Sequence, residues 1–237
     1  MKKFLIFVSL VLIGGAALAA AELANNDKHY SWRYKMTVEI ETPEGLKTGS
    51  AVREVNVNIT PYPLDDRHPY RSKVTMKGEA VTVDLGDRGV LFAIITPDSY
   101  PEITDTFAGP PPLTPEGAEY YSRLENVKAP VEAKNISWMF TFSDLSDPKS
   151  VRLVKGGEFD VAQQKYIPVD NFEKIFGSGV KLKGVTVEMT DEPVTWEIEK
   201  WLPWLENLRG GYLHGGSTAR GAPLGLYGGN FKLKLGE

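Results

Sequence analysis

Residues 30 to 41 constrain the fold more than any other stretch. Tyr30, Trp32, Tyr34, Met36, Val38 and Ile40 alternate with Arg33, Lys35, Thr37, Glu39 and Glu41. Neighbouring side chains of a strand point to opposite faces, so this pattern predicts a strand with one buried and one solvated face. Thr42-Pro43-Glu44-Gly45 follows. Proline presets φ at the first corner of a turn and glycine tolerates positive φ, so the chain should reverse here. The return strand is expected over residues 49 to 60, with Val55, Val57 and Ile59 inward. Val52 is out of phase with these three, which suggests a bulge near Arg53-Glu54.

Further hairpin signals follow. Val81, Val83 and Leu85 alternate with polar or small neighbours, and Gly86-Asp87-Arg88-Gly89 turns the chain. Residues 90 to 95, Val-Leu-Phe-Ala-Ile-Ile, are apolar at every position and predict a central strand covered on both faces. Pro97 to Pro115 carries prolines at 97, 101, 110, 111, 112 and 115 and reads as a surface excursion, because proline cannot donate to a ladder. Thr114-Pro115-Glu116 has the cap, first-turn proline and acid of a helix start. Ile136, Trp138, Phe140 and Phe142 predict another strand. Asp170 and Gly177 bracket a brief helix. Residues 180 to 189 form a strand whose parity switches at Gly184. Ile198, Trp201, Leu202, Leu205 and Leu208 fall on one helical face, with Asp191 as N-cap and a kink at Pro203. Asn230 to Leu235 is a last strand. The expected class is α+β: mainly antiparallel sheet built from hairpins, with one main amphipathic helix late in the chain. A β-sandwich with that helix on an outer face is the alternative.

The N-terminus reads as an address. Lys2 and Lys3 precede the apolar run Phe4 to Ile13, and Ala17-Leu18-Ala19 follows. A basic segment, a short apolar core and an A-x-A site are the parts of a secretory signal peptide. Residues 1–19 are therefore expected to be a signal peptide, 20–29 a flexible leader and 30–237 a single domain. A retained membrane anchor is the alternative. The chain has no cysteine, so disulfides, thiolate metal sites and cysteine nucleophiles are excluded. A net charge of −4 argues against nucleic acid and anionic lipid as partners.

Several blocks occur together: Thr42-Pro43-Glu44-Gly45, Thr48-Gly49-Ser50-Ala51-Val52, Lys77-Gly78-Glu79-Ala80-Val81, Asp147-Pro148-Lys149-Ser150-Val151, Thr190-Asp191-Glu192-Pro193-Val194-Thr195, Ile198-Glu199-Lys200 and Leu202-Pro203-Trp204-Leu205. With them the chain resembles an uncharacterised group of exported or N-terminally anchored Gram-negative envelope proteins. The resemblance spans roughly Tyr30 to Tyr212. It implies an envelope location, chiefly the periplasm, and carries over no activity and no functional residue.

Motifs for chemistry are sparse. Of three histidines, His29 lies in the leader. His68 follows Asp65-Asp66-Arg67, and no spaced partner completes a metal set, so no metal is expected. His214 sits between glycine pairs in residues 210–216, three residues before Ser217. A loop histidine there is a candidate general base, without a G-x-S-x-G elbow or an assignable acid. No phosphate-cradling glycine motif is present and no cofactor is expected. Glu192, Glu197 and Glu199 read as a solvated face. Trp201 belongs to the core stripe of the late helix. Trp196 and Trp204 lie beside it, either as an aromatic platform for a ligand or as packing. Tyr212 joins them as a binding candidate. In the proline-rich excursion, Asp98, Tyr100, Asp105 and Phe107 are placed to contact a ligand, since long ordered loops often bind or cover a site. These features suggest a non-enzymatic envelope protein that binds a small ligand or a partner. A hydrolase or transferase built on His214 is the alternative.

Overall fold

A computed structural model describes residues 27–62, 67, 69–160, 162–208, 211–213 and 226–234. The alternating stretch forms β1 (Lys28–Thr42), and its six apolar residues face inward, five of them buried and Tyr30 half-buried. The strand begins inside the expected leader: His29 Nδ1 lies 2.6 Å from Asn58 Oδ1 of the next strand. Pro43 and Glu44 make the turn and Gly45 has φ of 120°. β2 (Gly45–Pro61) then pairs with β1 in unbroken register from Thr42↔Gly45 to Lys28↔Ile59.

That register corrects the bulge expected at Arg53-Glu54. Val52 is out of phase because β2 is covered on both faces here: Ala51, Val52, Arg53, Glu54 and Val55 are all buried. Thr195 lies against Val52, donating N–H to its carbonyl at 3.2 Å and accepting from its N–H at 3.1 Å. A true bulge occurs where parity switches near Gly184, the register slipping between Glu39 and Ile40.

The strands form two antiparallel sheets. The first has the order β11 (Lys232–Leu233), β3 (Tyr70–Glu79), β2, β1, β10 (Lys181–Met189) and β6 (Lys128–Pro130). The second has the order β4 (Val81–Asp84), β5 (Val90–Ala93), β7 (Met139–Phe142), β8 (Val151–Asp160) and β9 (Lys165–Asp170). With three short helices among the described residues, the protein is α+β and mainly antiparallel. One core lies between the sheets, where Tyr34, Met36, Val38, Val55 and Val57 meet Val81, Val83, Leu91, Ala93, Met139 and Val154. The fully apolar run at 90–95 is explained by a second core. Leu91, Ala93 and Ile95 face the first core, whereas Val90, Phe92 and Ile94 face the second, under Ile198, Leu202, Leu205, Leu213, Leu226 and Phe231.

The late amphipathic helix does not form as one helix. Its residues make two 3-10 turns, Ile198–Lys200 and Leu205–Leu208, on either side of Pro203. Proline has no N–H to donate and clashes with the preceding turn, so the helix cannot propagate through it. The apolar stripe survives, with Ile198, Leu202 and Leu205 buried. The turn begins at Ile198, well past Asp191, and a distant side chain caps it. Glu79 Oε2 accepts from the N–H groups of Glu197 and Ile198 at 2.7 and 3.0 Å. Burial pushes the Glu79 carboxyl above its ordinary range, against the pull of those donors. Glu79→Ala should cost about 2 kcal/mol, the scale of a charge-assisted cap. Urea unfolding would read this, and faster proteolysis between residues 190 and 208 should accompany it.

Outside the cores, Glu54 sits between Arg33 Nε at 2.7 Å and Lys77 Nζ at 2.6 Å. Burial works against its ionisation, but these two cations prevail and hold the carboxyl below its ordinary value of 4.5. A carboxylate with a depressed folded pKa stabilises above its unfolded pKa and loses that contribution as pH falls. The stability difference between the protein and Glu54→Gln should therefore be widest near neutral pH and shrink below pH 4.5. A difference that grows on acidification would contradict this.

Candidate functional site

Arg53 occupies an inward position of β2, in phase with Val55 and Val57 and opposite Tyr34. It is 0% exposed, which for an arginine demands partners for charge and N–H groups alike. Both demands are met. Nη1 donates to Glu102 Oε2 at 2.9 Å, Nε to the Glu79 carbonyl at 3.1 Å, and Nη2 to the carbonyls of Ala93 and Ile94 at 3.1 Å each. Gly78, at φ 138°, lies against the arginine; a Cβ there would come within 3.0 Å of Arg53 Cγ. The guanidinium thus ties the first sheet to the end of β5 in the second.

Glu102 belongs to α1 (Pro101–Thr104), a single turn in the proline-rich excursion, and is 3% exposed. Its Oε2 accepts from Arg53 and from the Tyr34 hydroxyl at 3.0 Å, and its Oε1 accepts from Ser137. Burial pushes the Glu102 carboxyl upward while Arg53 opposes it. Burial, and then the Glu102 charge, raise the Tyr34 hydroxyl well above its usual value.

This cluster forms part of the wall of an open cavity of about 410 Å³. The excursion supplies Asp98, Ser99, Pro101 and Glu102, and the segment before β7 supplies Lys134, Asn135, Ile136, Ser137 and Trp138. Ile94 and Leu226 add apolar surface. Ser99 is held in place, its hydroxyl accepting from the Thr96 N–H at 2.9 Å. The Asp98 carboxylate makes no hydrogen bond or ion pair among the described residues. Asn135 Nδ2 is shielded from solvent and has no partner among them. A second cavity of about 370 Å³ lies by Pro97, Leu205 and Tyr227. Of its charged lining residues Glu199, Glu206, Lys232 and Lys234, Glu199 and Lys232 pair with each other.

The residues singled out from sequence fall in different places. Asp98 lines the first cavity. Tyr100 and Phe107 pack, half-buried, against the core between the sheets. Asp105 caps the C-terminal end of α1. Trp204 is half-buried on the second core; its Nε1 donates to the Leu145 carbonyl at 2.8 Å and its ring stands edge-on to Phe142. Trp196 remains 40% exposed, with Lys232 Nζ 5.4 Å from its ring centroid. Tyr212 is 57% exposed and forms an isolated bridge with Tyr227. Glu197 pairs with Lys200, and Glu192 with Lys35. His214 and Ser217 lie outside the described residues, as do Asp65, Asp66 and His68. Glu102, Ser137 and Asn135 were not anticipated. The available signal was Arg53 itself, a charge in phase with the inward valines, which requires a buried acid elsewhere. No protein-family model matches the chain, and neither a curated protein nor a solved structure matches it.

Proposed function

We propose that this chain is an exported, non-catalytic binding protein of the bacterial envelope. Its ligand is a small molecule held in the cavity between the proline-rich excursion and the segment before β7. The observation that carries this reading is the cavity's construction. At about 410 Å³ it falls within the size range of small-molecule sites and combines apolar wall with a few convergent polar groups. One wall is fixed by the buried Arg53–Glu102 pair, so the polar groups are preorganised. The basic and apolar N-terminal residues and the A-x-A sequence support export.

A thermal-shift screen of polar and amphipathic metabolites tests the reading, with Asp98→Trp filling the cavity mouth. Binders should raise the melting temperature of the protein in proportion to ligand concentration and leave Asp98→Trp unmoved. Binders that shift both proteins equally, or a screen without any stabilising compound, would overturn it.

A further inference from the structure

We infer that the cavity ligand is a zwitterion, an α-amino acid with an apolar side chain. This rests on the cavity being the binding site. Acceptors and donors line the same space, and neither set is fully used among the described residues. On the acceptor side, Asp98 has no partner among the described residues. A carboxylate oxygen has two acceptor sites, and among the described residues Glu102 Oε1 takes only Ser137 while Oε2 takes both Arg53 and Tyr34. One acceptor position on Glu102 is therefore open. An ammonium, with three donors and a positive charge, matches Asp98 and that position.

On the donor side, Asn135 lines the cavity and its Nδ2 has no partner among the described residues, a deficit that an acceptor reaching it would relieve. Lys134 is its neighbour in the lining. Its ion pair with Glu132, at 2.9 Å, joins two side chains that are both mostly exposed, and pairs of that kind are weak enough to exchange for a ligand. A carboxylate matches Asn135 and Lys134. The remaining wall, Ile94, Ile136, Trp138 and Leu226, is apolar and suits an aliphatic or aromatic side chain. A ligand with only one charge would leave one polar set unmatched.

The test is calorimetric titration of the full chain with L-leucine and L-phenylalanine, against 2-phenylethylamine and 3-phenylpropanoate, which keep one charge each. An amino acid should bind roughly tenfold or more tightly than either analogue, the scale of losing a charge-assisted contact. Asp98→Asn should weaken the amino acid and the amine and leave the carboxylate unchanged. Asn135→Ala should do the reverse. Asp98 is exposed and unpaired among the described residues, so its substitution does not threaten folding. Equal binding of a single-charge analogue, or an Asp98→Asn variant as tight as the parent, would overturn the inference. If compounds of another class bind and are excluded by Asp98→Trp, the zwitterion is wrong and the cavity site stands. If nothing occupies the cavity, both fall.

Discussion

Arg53→Met should lower the free energy of unfolding by about 3–5 kcal/mol, the cost of removing one member of a buried ion pair. The substitution leaves Glu102, 3% exposed, without its cation, and it removes the donors that reach the carbonyls of Glu79, Ala93 and Ile94. Glu102→Leu should be comparably damaging, since it strands the guanidinium. The double variant is informative. Removing both charges together is often neutral or stabilising where the pair alone is at stake. Here three carbonyls also lose the guanidinium's hydrogen bonds, so Arg53→Met/Glu102→Leu should recover only part of the loss. Urea denaturation of all four proteins gives the coupling directly. Losses that simply add would contradict a pair acting as a unit.

Gly49→Ala should be nearly as severe, at roughly 3 kcal/mol, the upper end for overpacking. Gly49 shares the inward parity of Ala51 and Arg53, at the point where β2 meets β4. A Cβ there would sit 1.9 Å from the Thr82 carbonyl oxygen and 2.7 Å from its carbon. Both are backbone atoms of the facing sheet, so no side chain can rotate away and the sheets must separate. Gly184→Ala is the matched control. An added Cβ at Gly184 meets nothing within 4 Å. Its gain in stability should be about 0.4–1 kcal/mol, from a stiffer unfolded chain. Melting temperatures of the two variants should move in opposite directions. A Gly49→Ala protein as stable as the parent would refute the close approach.

Local periodicity made the frame of the fold legible. The first hairpin, its turn, the doubly covered strand at 90–95 and the helix capped by Thr114 can all be read from residues within one element. Thr114 Oγ1 indeed accepts from the Gly117 N–H at 3.0 Å. β3 was not legible, because Arg71, Lys73, Thr75 and Lys77 alternate with a mixed set that includes Ser72 and Gly78. The late helix misled because its apolar spacing suits α-helical and 3-10 turns alike, and Pro203 decided between them.

The site was hidden for a different reason. Its residues come from three separate segments, joined by an ion pair between positions 53 and 102 and a hydrogen bond between 102 and 137. No spacing rule reports such contacts. The excursion was marked by its prolines, and Asp98 within it was named. Glu102, four residues further on, looked like any surface acid. Only the inward phase of Arg53 hinted that a buried carboxylate had to exist.

Amide NMR mapping of a cavity binder tests the central claim most directly. On titration, the resonances of Ser99, Glu102, Asn135 and Ser137 and the indole N–H of Trp138 should move together with one dissociation constant. The Trp196 indole and the Tyr212 amide should stay in place. Shifts confined to Trp196 and Tyr212, with the cavity resonances unmoved, would show that binding belongs to the exposed aromatic surface instead.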